Sequence, residues 1–128
     1  MENELYFKEL TDVILNCFYT VYNELGYGFL ENVYQNAMVH ELNLRGLGVE
    51  GQKRISVFYK DIQVGFYIAD IVVNQQIILE LKATEELRVE HQYQLINYLR
   101  STECEVGLLL NFGRKPQFMR KVFNNNKE

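Results

Sequence analysis

Residues 70–82 read D-I-V-V-N-Q-Q-I-I-L-E-L-K and place three charged side chains inside two apolar runs joined by a short polar turn. Successive side chains along a β-strand point to opposite faces, so Glu80 and Lys82 are predicted to share one face. Charged groups rarely lie inside such runs without a partner. We therefore expect two paired strands that hold Asp70, Glu80 and Lys82 near such a partner, for which a metal ion bound to a phosphate is one candidate.

The length of the turn decides whether the two acids meet. With a two-residue hairpin loop, Val73 would pair with Gln76, and Asp70 and Glu80 would lie on opposite faces of the sheet. One additional loop residue, or one bulge, pairs Val73 with Ile77 and Asp70 with Glu80 instead, which brings the Cβ atoms of the two acids to roughly 5 Å. We predict this second register.

The sequence on either side of the stretch predicts an α/β domain. Apolar residues recur every three or four positions in two N-terminal segments, alternate in the middle of the chain and return to helical spacing after it. The predicted elements are helices over 5–25, 30–44 and 84–100 and strands over 55–59, 63–73, 77–83 and 106–112. Thr84 is the expected N-cap of the third helix, and the run 63–73, apolar on both faces, is the expected central strand. This α-α-β-β-β-α-β order predicts a mixed sheet flanked by helices.

Length and composition predict one domain and exclude some functions. We expect a single domain over residues 1–123 and a disordered tail over 124–128, with residues 118–123 fitting either a strand or a helical turn. The net charge of −4 argues against a protein that coats nucleic acid through bulk charge, but not against an enzyme that acts on it.

No apolar stretch approaches the roughly 18 residues that cross a bilayer, so we expect a cytoplasmic protein without a membrane partner. Cys17 and Cys104 are expected to be buried thiols. The aromatic content of 13% is compatible with apolar surface for association, so a homodimer or a larger complex is a further expectation.

Paired acids at this position suit a metal ion. Mg²⁺ takes oxygen ligands and keeps several waters, so Asp70 and Glu80 could hold it, and the ion could activate a water and stabilise charge on a phosphate. Lys82 could place the attacking water or stabilise the phosphorus centre. The competing interpretation is a structural salt bridge, but a buried ion pair adds little net stability, and two acids with one lysine leave one charge uncompensated.

An aspartate on one strand followed by Glu-x-Lys on the next resembles the PD-(D/E)XK nuclease superfamily. Its restriction-endonuclease-like α-β-β-β-α-β core matches the predicted order, with an extra N-terminal helix here. The segment G-F-L-E-N-V-Y is also similar to the signature of the GxxExxY protein family, with Gly28, Glu31 and Tyr34 at its named positions. One departure is Ala69, which stands where a proline often precedes the aspartate. The resemblance covers nearly the whole chain.

The resemblance implies roles for further residues. Glu31 matches a glutamate with which the helix before the sheet completes the metal site in that superfamily, although an acid in the first turn of a helix is also explained by the helix dipole. Gln94 and Tyr98 resemble the Gln-x-x-x-Tyr motif of the RecB-like branch, and His91 shares their helix face. A solvated polar face is the alternative explanation for these three. Tyr34, His91 and Tyr98 are therefore candidates for substrate contact or support of the site.

The function we expect is hydrolysis of nucleic acid phosphodiester bonds by an enzyme that requires Mg²⁺ or Mn²⁺. Asp70 and Glu80 would bind the metal with help from Glu31, Lys82 would activate water, and Gln94 would support the site. The alternative is a nuclease-fold module that binds nucleic acid or protein with weak or absent catalysis, which the acidic composition favours.

Overall fold

Three helices and five strands make up the computed structural model, which describes the backbone of residues 2–124 and side chains from Phe7 onwards. In chain order they are α1 Glu2–Leu25, α2 Glu31–Leu44, β1 Val49–Tyr59, β2 Ile62–Val73, β3 Ile77–Lys82, α3 Val89–Arg100, β4 Val106–Phe112 and β5 Pro116–Val122. The segment that the sequence left open is the strand β5. The last four residues of the predicted tail, 125–128, lie outside the described residues.

The five strands form one sheet in the order β1-β2-β3-β4-β5. Strand β3 runs parallel to β4, while the other neighbouring pairs are antiparallel. The parallel pair is possible because α3 connects β3 to β4 and returns the chain to the end of the sheet where β3 began. The predicted mixed sheet of an α/β, restriction-endonuclease-like fold is confirmed.

Helices cover both faces of the sheet. Ile71 and Leu79 pack in one apolar cluster with residues of α1 and α2, such as Phe18 and Met38. A second cluster contains residues from the other face of the strands together with Leu95 and Leu99 of α3. Strand β4 is buried along its whole length. The burial of charged residues in β3 therefore follows from helix layers above and below it.

The turn between β2 and β3 has the predicted parity. Val73 pairs with Ile77, and residues 74–76 form the loop. Asn74 and Gln75 adopt positive φ angles of 52° and 59°, which asparagine tolerates better than most residues. The amide of Gln76 donates to the carbonyl of Val73 at 2.9 Å and closes the turn.

Three predictions about the elements are wrong. The first strand is predicted over 55–59, but β1 begins six residues earlier, at Val49. The other two errors concern β2 and α3. Strand β2 is not covered along its length: it is buried from Ala69 to Val73, apart from the half-buried Asp70, whereas Val64, Phe66 and Ile68 are exposed. The reason is that β3 pairs with β2 only near its C-terminal end, so the first half of β2 has β1 as its only strand neighbour among the described residues.

The third helix begins at Val89 rather than after Thr84. The side chain of Asn111 in β4 makes two hydrogen bonds to the backbone of Thr84. Its Oδ1 accepts from the Thr84 amide and its Nδ2 donates to the Thr84 carbonyl, both at 3.0 Å. These bonds hold residues 84–88 as an irregular segment between β3 and α3. No helix among the described residues is long and apolar enough to cross a membrane.

Candidate active site

Asp70 lies where β2 separates from β3. The printed pairing of these strands ends at Ile71 with Leu79, so the next pair in the same register would be Asp70 with Glu80. Instead of a strand hydrogen bond, the Asp70 amide donates to Oε2 of Glu80 at 3.3 Å, and the Leu81 amide donates to Oδ2 of Asp70 at 2.8 Å. The two acids are therefore neighbours, as the predicted register requires.

Burial makes both carboxylates costly to ionise. Glu80 is only 6% exposed, and desolvation followed by the charge of Asp70 raises its pKa from 4.5 to about 8. Desolvation also raises the pKa of Asp70, against the lowering effects of the Leu81 amide and the Lys82 charge. Both shifts favour the protonated acids, so the surroundings of the pair do not fully stabilise two negative charges at this site.

Lys82 is close enough to act on both acids, since its charge lowers the pKa of each. It nevertheless forms no ion pair within 4.0 Å with either of them in the described part of the chain, where the ion pairs join other residues. The structural salt bridge considered above is therefore not what holds these charges in the sheet. The lysine ammonium remains open to another partner.

Glu31 lies in the first turn of α2 and is exposed. Its charge contributes to the raised pKa of Glu80, as the smallest of the causes, so it faces the same region from the helix side. Among the described residues, no group of three or more His, Cys, Asp or Glu side chains is close enough to hold a metal ion. Asp70 and Glu80 thus form a pair, with Glu31 near them but outside direct ligand distance.

Helix α3 brings Gln94 and Tyr98 to the same site. The pKa of Tyr98 is raised by burial and then by the charges of Glu80 and Asp70, while hydrogen bonding from Gln94 lowers it. The ring of Tyr98 stacks on Tyr67 of β2 with centroids 3.6 Å apart, and the Tyr67 hydroxyl donates to the Tyr98 carbonyl at 2.9 Å. These contacts fix α3 against the strand that carries Asp70.

His91 has a local partner in the structure. Its Nδ1 accepts from the amide of Arg88 at 3.0 Å and so caps the start of α3. Burial and then the charge of Lys82 lower its pKa, which places the ring near that lysine. The imidazole therefore has a structural role and lies at the margin of the site.

Tyr34 is not brought to the carboxylates. It is fully buried, stacks on Phe112 with centroids 4.3 Å apart, donates from its hydroxyl to the Gly26 carbonyl and accepts from the Phe29 amide. These bonds hold the loop that leads into α2, where Gly26 and Gly28 adopt positive φ angles of 70° and 114°. A direct substrate contact by Tyr34 is not compatible with this burial.

The sequence interpretation missed two polar residues that hold the site. Asn111 is fully buried and fixes the segment after Lys82 through Thr84. Its position in the apolar run V-G-L-L-L-N-F was a signal of the same kind as Glu80 in β3. Gln35 donates to the carbonyl of Asp70 at 2.8 Å, and nothing in its helical neighbourhood marked it.

Comparison with known proteins agrees with this geometry. The family model of the PD-(D/E)XK nuclease superfamily matches residues 8–122, so the chain belongs to that superfamily. Nuclease-like function and use of divalent metals are typical of members of this superfamily.

One solved structure, described as the crystal structure of SSO0001, is similar with a TM-score of 0.56 and 16% sequence identity. The match covers 71% of this chain and 48% of that one, so the chain corresponds to about half of the length of that protein. At this identity the similarity supports the fold. No curated protein matches the sequence.

Proposed function

We propose that this protein is a nuclease that hydrolyses nucleic acid phosphodiester bonds with a divalent metal ion, Mg²⁺ or Mn²⁺. The observation that carries the proposal is the placement of the half-buried Asp70 next to the buried Glu80 at the point where β2 separates from β3, which we call the strand break. Lys82 lies beside them and is unpaired among the described residues. A structural ion pair would have used the lysine. This arrangement instead leaves two acids and one cation available to a substrate.

The residues fit a hard divalent cation. All of the candidate donors are carboxylate oxygens, which Mg²⁺ and Mn²⁺ prefer, and Mg²⁺ retains several waters so that a pair of carboxylates is a sufficient set of protein ligands. Desolvation raises the pKa of both Asp70 and Glu80 despite the opposing charge of Lys82, so a bound cation would supply compensation that their ionised forms need. When bound, the ion would supply a Lewis acid for the phosphate and lower the pKa of water. Asp70 and Glu80 would hold it, with Glu31 acting through a bound water.

The remaining residues would orient the reaction. Lys82 supplies a positive charge that either places the attacking water or stabilises the negative charge that develops on the phosphate oxygens. Gln94 and Tyr98 border the site on the side of α3, where Gln94 can hydrogen-bond a carboxylate or the substrate. Desolvation by the two helix layers strengthens each of these electrostatic interactions.

Cleavage assays test the proposal directly. Purified protein is incubated with single- and double-stranded DNA and RNA in Mg²⁺, in Mn²⁺ and in chelator. We expect cleavage that requires the metal and that falls by about 10²-fold or more in Lys82→Ala. Lys115→Ala is the matched control, because Lys115 is an exposed lysine on the loop before β5. Cleavage that survives unchanged in Lys82→Ala contradicts the assignment.

The second candidate function is a catalytically weak module of the same fold that binds nucleic acid or protein. It is favoured by the absence, among described residues, of three metal-binding side chains within mutual reach. Calorimetric titration with Mn²⁺ separates the two functions. Binding that is lost in Glu80→Ala supports the enzyme, whereas no heat of binding in the wild type supports the module.

The finer assignments are proposals as well. We place the chain in the GxxExxY family on the strength of Gly28, Glu31 and Tyr34, and we treat residues 1–123 as a single domain. The superfamily makes nucleic acid the expected partner. A cytoplasmic location and a homodimer or larger complex stay predictions from the sequence.

A further inference from the structure

Helix α2 reaches the strand break through one side chain. Nε2 of Gln35 donates to the backbone carbonyl of Asp70 at 2.8 Å. Its Oε1 accepts from Nε2 of Gln52 in β1 at 2.7 Å. Gln35 therefore links the second helix, the first strand and the residue that carries the proposed metal ligand.

The carbonyl of Asp70 needs such a partner because the strand pairing is interrupted beside it. Strand β1 pairs Gly51 with Ile71 and Lys53 with Ala69, but the pairing omits Gln52 and Asp70 between them. Gln52 has a φ angle of 54°, in the left-handed region that is incompatible with a regular strand. On the other side, β2 has already left β3. Asp70 is thus held by bonds that replace those of a regular sheet.

The same bond also sets the position of Glu31. Glu31 and Gln35 are four residues apart on α2, so they lie one turn apart on one face of the helix. Fixing Gln35 to the Asp70 backbone fixes the distance between the first turn of α2 and the carboxylate pair. Gln52 restrains the amide of Gln35 in the orientation that points its Nε2 at the carbonyl, because Oε1 is occupied by the second hydrogen bond.

From this geometry we propose that Gln35 is a positioning residue for metal binding: it docks α2 on the strand break and holds Asp70 and Glu31 in the relative arrangement that a divalent cation requires. This inference rests on the proposed function, since it assumes that the cation binds at Asp70 and Glu80. Gln35 itself is not a ligand in this role, because its side-chain oxygen and nitrogen already have protein partners. Such supporting residues typically change metal affinity by about 10- to 100-fold.

The first experiment measures metal affinity in Gln35→Met. Methionine keeps the length and flexibility of glutamine without its amide, so it removes both hydrogen bonds with little change in volume. We expect the Kd for Mn²⁺, measured by calorimetry, to rise by about 10-fold or more. The control is Asn36→Met, at the next and exposed position of the same helix, which should leave the Kd within about twofold of the wild type.

A double-mutant cycle tests whether Gln35 acts through Glu31. If it does, Gln35→Met has a smaller effect on the Mn²⁺ Kd in a Glu31→Gln background than in the wild type. Equal effects in both backgrounds would restrict the role of Gln35 to Asp70 alone and would overturn the part of the proposal that concerns Glu31.

The second experiment needs no metal. Hydrogen exchange in chelator should become several-fold faster at the amides of Asp70 and Leu81 in Gln35→Met, and also in Gln35→Glu, which keeps an acceptor for Gln52 but loses the donor. Asn36→Met should leave these amides unchanged, and circular dichroism should show that all variants are folded.

These readouts separate the two levels of the proposal. If the wild type binds no Mn²⁺, the proposed function and this inference both fall. If the wild type binds Mn²⁺ and Gln35→Met binds it equally well, the inference alone is overturned. Unchanged exchange at Asp70 and Leu81 in Gln35→Met also overturns it, because the bond then does not hold the strand break.

Discussion

The two halves of strand β2 have similar compositions and opposite environments. The segment Ala69–Val73 is buried apart from Asp70 at its start, while Ile62–Ile68 carries four exposed apolar side chains. Both halves read as apolar strand, and both pair with β1. They differ because only the second half has β3 beside it and packs against α1 and α2, whereas in the first half Tyr67 stacks on Tyr98 of α3. Asp70 lies at the boundary between the two halves, where β2 separates from β3.

This contrast shows that the site occurs where the packing of the sheet ends. A charged side chain within the buried half would be fully desolvated, and one on the exposed half would be fully hydrated and electrostatically weak. At the boundary, Asp70 is half-buried and has a raised pKa, yet it keeps a path to the surface. If burial sets function and stability, substitutions in the two halves and at their boundary should have unequal effects.

The largest difference is expected between two aspartates that lie near opposite ends of the exposed half, Asp70 and Asp61. Asp70→Asn keeps the size of the side chain but removes a charge from the carboxylate pair, so metal-dependent cleavage should fall by about 10²- to 10³-fold. Asp61→Asn is the matched change at the hairpin turn, where the φ angle of 68° suits asparagine, and it should leave cleavage unchanged. Initial rates on a labelled oligonucleotide decide this, and similar losses in both variants would contradict the comparison.

The next effect is on stability. Ile71 is fully buried and Ile68 is 39% exposed, three positions away on the same strand. Ile71→Ala should lower the free energy of unfolding by about 2 to 5 kcal/mol, because it leaves a cavity between the sheet and the helices. Ile68→Ala should cost less than about 1 kcal/mol. Urea unfolding monitored by circular dichroism measures both values, and equal costs would show that the exposed half is covered in solution.

The stability of the protein should depend on pH through Glu80, the neighbour of Asp70 at the boundary. The pKa of Glu80 is about 8 in the folded protein and 4.5 as an ordinary value, so the folded state binds the proton more tightly than the unfolded state. This contribution to stability is fully present below about pH 4.5 and is lost as the pH rises through about 8.

Glu80→Gln cannot lose that proton. In chelator, its unfolding free energy relative to the wild type should therefore increase from pH 5 to pH 9, by an amount on the order of 1 kcal/mol or more. Thermal unfolding at several pH values measures the difference. Glu24→Gln, an exposed site on α1, serves as the control and should show no such trend. A pH-independent difference for Glu80→Gln would mean that Glu80 is charged in the folded protein throughout this range.

The smallest effect is expected within the exposed half. The Arg54 guanidinium lies 3.8 Å from the ring centroid of Phe66, a cation–π contact on the surface. A double-mutant cycle with Arg54→Met and Phe66→Leu should give a coupling free energy of about 0.5 to 1 kcal/mol in urea unfolding. A coupling several times larger would indicate that this surface is desolvated by a binding partner.

Local sequence patterns predicted most of the elements. The two N-terminal helices and the parallel pairing of β3 with β4 followed from periodicity and chain order. The parity of the turn at residues 74–76 followed from the expectation that Asp70 and Glu80 face one another. The start of α3 did not, because Thr84 is a good N-cap by type but its backbone is bonded to Asn111. A capping preference of about 1 kcal/mol is outweighed by two partly buried hydrogen bonds, which together contribute about 1 to 3 kcal/mol.

The candidate site was predictable in part. Asp70, Glu80 and Lys82 stood out because charges interrupted apolar strands, and the structure brings the two acids together. Gln94 and Tyr98 follow from helix periodicity once α3 is placed beside the sheet. Tyr34 matched a family signature, but a signature residue can serve the core as well as the site, and here its hydroxyl holds a loop.

The register of β2 on β3 could be predicted locally, because the alternation of strand faces and the length of one turn both lie within the thirteen consecutive residues 70–82. Local patterns could not predict which half of β2 is buried or which side chains hold Asp70 at the strand break. Gln35 is 35 positions from Asp70, and Asn111 is 27 positions from Thr84. Hydrogen bonds over such separations depend on how helices dock on the sheet, and that docking depends on the packing of the whole core, which no local pattern records.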